Sequence, residues 1–205
     1  MIHFDQDTIL CIILIFLQVG VIIYFIRRGR IKAKAAAAEV TVTPERTYAG
    51  LRQIALNVTP SQLKIAIPNK DTFVYGMVMD WNMGNGTATL AAYATGACSM
   101  YLSTGGGIIG GGQTPEVAEM AVAFVTAAKD YLDLAVPAAT TSLPEHDGIR
   151  FYFLTNHRMY MAEEQLGRFD NNTSPLLPLF VKANEVISGM RANDNGSFAK
   201  LNGDS

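Results

Sequence analysis

The chain has 205 residues, room for one domain with appendages, and its 16 Lys and Arg against 18 Asp and Glu leave a net charge of −2. That balance argues against a nucleic-acid binder, whose affinity comes from a clustered positive surface. Two cysteines, Cys11 and Cys98, make no disulfide framework and read as small buried hydrophobes; with His3, His146 and His157 scattered and no Cys-x-x-Cys, neither a metal site nor a cofactor is expected.

The first element in chain order is an apolar run at residues 9–26, with Gln18 as its only strongly polar interruption. As a helix it would be about 27 Å long, close to the hydrocarbon thickness of a bilayer, and it lacks the polar face of a soluble helix. Residues 1–8 carry Asp5 and Asp7. Arg27, Arg28, Arg30, Lys32 and Lys34 follow the run at once. The positive-inside rule therefore predicts a single-pass transmembrane helix with a short external N-terminus and everything after residue 26 in the cytoplasm, at the inner membrane. A signal peptide carries its charges before the apolar core, so the order argues against cleavage at the small residues around Ala33. Residues 27–43 read as a basic juxtamembrane linker able to touch anionic lipid.

An α+β domain is expected over residues 44–191. Thr43-Pro44-Glu45 is a helix start signal, and Tyr48, Leu51, Ile54, Ala55 and Val58 recur at helical spacing, so a helix is expected over residues 44–57. Thr59-Pro60-Ser61-Gln62 repeats the signal as a capping box but opens only a short turn. Strands follow at residues 74–81, 87–94 and 97–103. Their short connections, the first through Asn82-Met83-Gly84-Asn85-Gly86, force an antiparallel meander. The alanines at 88, 91, 92, 94 and 97 imply close packing on this sheet. Thr114-Pro115-Glu116 opens the clearest helix, with Val117, Met120, Ala121, Phe124, Val125, Ala128, Leu132 and Ala135 as its apolar stripe; Pro137 ends it. Two more strands are expected at residues 149–155 and 158–163, then a polar loop at 167–173. Ser174-Pro175 starts a last helix, and residues 192–205 read as a disordered tail. The predicted fold is a transmembrane helix followed by one domain of order α-βββ-α-ββ-α, with a five-stranded antiparallel sheet.

That order of elements is similar to the secretion-chaperone-like fold. The runs Val78-Met79-Asp80-Trp81, Gly86-Thr87-Ala88-Thr89 and Tyr101-Leu102-Ser103-Thr104-Gly105-Gly106-Gly107 resemble an uncharacterised family of small bacterial proteins, over roughly residues 45–191. The resemblance implies bacterial origin and brings no named activity.

The most distinctive stretch holds six glycines in eight residues, from Gly105 to Gly112, between a strand and a helix. It nearly fits the phosphate loop Gly-x-x-x-x-Gly-Lys-Ser/Thr, but Gln113 stands where the lysine belongs, Pro115 removes an N–H, and the preceding strand belongs to a meander. Gly105-x-Gly107-x-x-Gly110 fits the dinucleotide fingerprint without the βαβ unit that fingerprint needs. An anion nest beside a helix N-terminus is a looser possibility. The plainer reading is a flexible strand-to-helix hinge with Ile108 and Ile109 exposed as a partner contact. Thr104, Gly105, Gly106, Gly107, Ile108, Ile109, Gly110, Gly111, Gly112, Gln113 and Thr114 are the candidate ligand- or partner-binding residues. No catalytic residue is assigned. Asp80 reads as a turn-capping carboxylate and His157 as a solvated hairpin tip. Ser103, His157 and Asp80 lack the elbow motif of a triad.

The function these readings support is a membrane-anchored cytoplasmic protein-binding or scaffolding domain without catalysis, joined to lipid through its helix and to a protein partner or its own copy. The alternative is a sensor or enzyme for a small phosphate or carboxylate compound at the glycine loop.

Overall fold

The structure, a computed structural model, describes residues 47–67 and 71–194. The expected membrane span, external N-terminus, linker and Thr43-Pro44 start signal lie outside the described residues, as does the tail beyond residue 194. Among the described residues no helix is long and apolar enough to cross a membrane.

The chain opens with helix α1 (Tyr48–Leu56), capped by Thr47, whose hydroxyl oxygen accepts the Gly50 N–H at 3.1 Å. The Thr59–Gln62 capping box is formed: the Thr59 N–H donates to Gln62 Oε1 at 2.8 Å and the Gln62 N–H to Thr59 Oγ1 at 3.4 Å. Strands β1 (Val74–Asn82), β2 (Thr87–Tyr93) and β3 (Cys98–Leu102) form the expected meander. The β1–β2 turn closes through Met83 N–H to the Gly86 carbonyl. Then come β4 (Gly107–Ile109), a 3-10 turn at Gly111–Gln113, helix α2 (Pro115–Ala128), and a 3-10 segment at Lys129–Leu134. After β5 (Val136–Pro137) run β6 (Gly148–Thr155), β7 (Met159–Gln165), the short helix α3 (Leu166–Asp170) and helix α4 (Leu177–Ala192).

All pairs are antiparallel, in the order β4-β3-β2-β1-β6-β7-β5. The sheet therefore has seven strands, not the five expected. The additions are a three-residue and a two-residue strand at the two edges. Each is too short to show a period of two, and each exists because a partner strand holds it in register. Their brevity, with glycine in one and Pro137 in the other, blunts both edges. The central helix also differs: α geometry stops at Ala128 and tightens to 3-10 through Leu134. The expected loop at residues 167–173 begins inside α3, and the last helix runs to Ala192, into what was read as tail.

Both sheet faces are covered, so β1, β2 and β6 are buried almost throughout. On one face Met77, Met79, Leu90, Phe151 and Phe153 meet Val117, Ala121, Phe124 and Val125 of α2 and Leu179, Ala183 and Val186 of α4. On the other, Val78, Ala91, Tyr93, Tyr101 and Tyr152 meet Ala55 and Leu56 of α1. Ala91 and Ala92 are each fully buried, on opposite faces, which accounts for the small side chains in β2: helices approach from both sides. Helices α2 and α4 run antiparallel. Gly189, near the end of α4, lies against Val117 and Met120 in the first half of α2, while Lys182, about two turns earlier, lines a groove that runs along α2 as far as Lys129 and Asp130.

Candidate functional site

The glycine stretch is built into the fold rather than hung from it. Thr104, Gly105 and Gly106 form the β3–β4 turn, closed by the Gly105 N–H to the Leu102 carbonyl and the Leu102 N–H to the Gly106 carbonyl, both 3.0 Å. Gly107, Ile108 and Ile109 are β4 itself, paired with Tyr101, Met100 and Ser99. Gly110 takes a left-handed φ of 76°, and its N–H donates to Ser99 Oγ at 3.3 Å. Gly111, Gly112 and Gln113 make the 3-10 turn, and Thr114 is the N-cap of α2, its carbonyl accepting the Ala118 N–H.

Two of these glycines are required by close backbone approach. A Cβ on Gly107 would overlap the Met100 carbonyl oxygen, and one on Gly112 would overlap the Gly96 carbonyl oxygen. Gly111 leaves room for Met190 of α4, 2.6 Å from where its Cβ would stand. The two isoleucines part company: Ile109 is 58% exposed, whereas Ile108 is 5% exposed and belongs to the core under α2 and α4. The expectation of two exposed isoleucines is corrected by the alternation of a strand. Nor is the stretch a hinge, because its strand pairing and N–H donations fix it. Gly105 and Gly106 line a cleft of about 200 Å³ with Thr47, Tyr48, Leu51 and Tyr101, while Gly111 and Gly112 pack against Met190 and the Gly96 turn. The predicted residues thus divide between two places.

A second feature was not anticipated. Asp80 does not cap a turn. It is a fully buried residue inside β1, on the α1 side of the sheet. Arg52 Nε and Nη2 donate to its Oδ2 at 2.9 and 2.6 Å, and Thr89 Oγ1 donates to its Oδ1 at 2.6 Å. Tyr48 of α1 completes the set through its hydroxyl, 2.9 Å from Thr89 Oγ1. The Arg52 guanidinium also lies over the Tyr152 ring, 5.6 Å from its centre. In register, Glu163, Arg150, Asp80, Thr89 and Tyr101 form one row across five strands, from β7 to β3. Arg150 pairs with Glu163 and donates to the Ser142 carbonyl at 2.6 Å. With Arg52 of α1 included, the two ion pairs that the row takes part in sum to zero charge. Burial alone would pull the Arg52 guanidinium down; its hydrogen bond to Asp80 and that carboxylate's charge outweigh it and hold Arg52 above its ordinary value.

The row closes on itself, and both Asp80 oxygens are occupied. Among the described residues the only buried side-chain nitrogen or oxygen without a hydrogen-bond partner is Trp81 Nε1, whose ring packs edge-on to Phe180 at 5.4 Å. Ser103, His157 and Asp80 are not assembled. Ser103 Oγ accepts the Thr87 N–H beside the end of β1, and exposed His157 sits in the β6–β7 turn, at the opposite end of the sheet. The signal for Arg52 and Asp80 was present in the sequence. Each is a charge on an otherwise apolar face, Asp80 two residues from Val78 on a strand and Arg52 four from Tyr48 on a helix.

The α1 side also carries buried phenols at Tyr75, Tyr93 and Tyr101 and a half-buried one at Tyr48. Burial raises Tyr48, Tyr75, Tyr93 and Tyr101 above the usual tyrosine value, and on the other face burial pushes the Cys98 thiol up to about 11. For such groups the stabilising contribution is whole below the unfolded values, near pH 9–10, and declines as pH rises, because the unfolded chain releases protons that the folded chain retains. Alkaline unfolding is expected between about pH 10 and 12, with tyrosinate absorbance rising together with loss of far-ultraviolet circular dichroism. An ordinary phenol titration centred near pH 10 with the fold intact would contradict it.

The third feature lies on the outer surface of the helical layer. Ala118, Val122, Ala123 and Ala127 of α2, with Lys182 of α4, line an open groove of about 720 Å³. Val122 is 37% exposed, and Val181 of α4 is exposed as well. Glu119 and Thr126 of α2 stand on this side as well. The alanines and Val122 among them make α2 apolar nearly all round, which is the pattern of a helix covered on both sides.

In comparisons with protein-family models, curated proteins and solved structures, no significant match was found.

Proposed function

We propose that this chain is a membrane-anchored cytoplasmic domain that binds protein and performs no chemistry of its own. The observation that carries the reading is the apolar groove along α2, a helix whose inner stripe is already buried on the sheet and whose outer face still presents Val122 among alanines. The charged groups of the interior support it, since Arg52 and Asp80 serve to fasten α1 to the sheet. The apolar run at residues 9–26 and the basic residues after it support the anchor and its orientation. The anionic-ligand alternative at the glycine loop is the weaker reading. The N–H groups of Gly105 and Gly110 donate to Leu102 and Ser99 of β3, those of Gln113 and Thr114 donate to Gly110 and Gly111, and Gly107 and Gly112 are accounted for by packing.

The test uses the full chain in membranes, resolved by native electrophoresis. Wild type is expected to migrate above monomer mass and Val122→Glu to fall to the monomer, while Ile54→Glu, on the exposed side of α1, leaves the complex intact. Monomeric migration of wild type, or equal migration of all three, would overturn the reading.

A further inference from the structure

Resting on that docking reading, we propose that the occupant of the α2 groove is a second copy of this chain, its own α2 laid antiparallel across the first. The argument is the charge of the groove. Its N-terminal end carries Glu119, and its C-terminal end carries Lys129, Lys182 and Asp130, so one end is negative by one charge and the other positive by one. Glu119 and Lys129 are ten residues apart, about 15 Å along the helix. A two-fold axis passing between Val122 and Thr126 brings Glu119 of each copy onto Lys129 of the other and sets the apolar centre against itself. An isologous interface needs this self-complementarity, in which each surface meets the same surface turned end for end. A parallel arrangement would oppose Glu119 to Glu119 and Lys129 to Lys129, which charge repulsion disfavours. The alanines at 118, 123 and 127 keep the face flat enough for a second helix to approach closely. One helical face is a small contact, and attachment to a common membrane raises the effective concentration at which it must pair.

The experiment uses the full chain in membranes in two arms. A benzophenone side chain at Val122 should give, on irradiation, one adduct of twice the chain's mass. An adduct of any other mass overturns self-pairing while leaving the docking reading in place, and absence of an adduct overturns both. In the second arm, Glu119→Lys and Lys129→Glu are expressed separately and then together with different tags. Each variant alone should lose pairing at least about 10-fold, because like charges then face each other at both ends. Expressed together they should pair about as well as wild type, because each reversed charge meets its opposite. Failure of the mixed pair to recover, or undiminished pairing of either variant alone, overturns the antiparallel arrangement.

Discussion

Asp80→Ala is expected to remove about 3–5 kcal/mol of stability, a large share of the roughly 5–15 kcal/mol of an ordinary domain. The cost comes from the partner left behind. Arg52 is itself buried, its guanidinium held between α1 and the sheet, and without Asp80 it must stay charged with no counter-ion or draw α1 off the sheet to reach water. Thr89 loses its acceptor at the same time. A matched apolar replacement should behave differently. Arg52→Met with Asp80→Leu removes both charges and leaves Tyr48 bonded to Thr89, so it should lie within about 1–2 kcal/mol of wild type. Urea unfolding followed through Trp81, the single tryptophan, measures both, compared by midpoint at unchanged slope. A loss below about 1 kcal/mol in the single variant would mean that the pair behaves as a solvated surface ion pair.

Gly112→Ala is expected to cost at least about 2 kcal/mol, at the upper end of what overpacking does. The new methyl group would meet the Gly96 carbonyl oxygen, with the Ala97 Cα also close. These are backbone atoms, which cannot rotate aside as a side chain would, so the β2–β3 turn or the start of α2 must shift. Gly167→Ala is the control. Nothing lies within 4 Å of the added group, and Gly167 is inside α3, where alanine is the better helix former. It should be neutral or stabilising by a few tenths of a kcal/mol to about 1 kcal/mol. Were the glycines kept for a ligand, Gly112→Ala would spare stability and abolish binding. The packing account expects the reverse emphasis.

The order of the principal elements was legible because it rests on local signals. Thr114-Pro115-Glu116 opens α2, and Asn82 to Gly86 turns β1 into β2, whatever lies around them. The edge strands β4 and β5 were not legible. Three residues containing one glycine and two residues containing a proline carry no strand period, and only their neighbours make them strands. For the glycine stretch the sequence showed where backbone freedom was needed but not why. The reasons are Met100, Gly96 and Met190, at least seven residues away along the chain. Asp80 was misplaced because its strand was expected to end at Trp81. One more residue of pairing, Asn82 opposite Thr87, puts Asp80 inside the sheet. Its partner lies 28 residues earlier, on a helix whose apolar spacing hid one charged position.

The central claim is that the outer face of α2 is covered in the membrane state. It is tested most directly by the labelling rate of Val122→Cys with a maleimide, in a full chain carrying Cys11→Ser, against Ile54→Cys as reference. Both positions are exposed in the single chain, at 37% and 51%, so in detergent at high dilution the two should label at comparable rates. In membranes Val122→Cys should slow by about 10-fold or more while Ile54→Cys is unchanged, as expected when a contact excludes reagent. Equal labelling at the two positions in membranes would contradict the account.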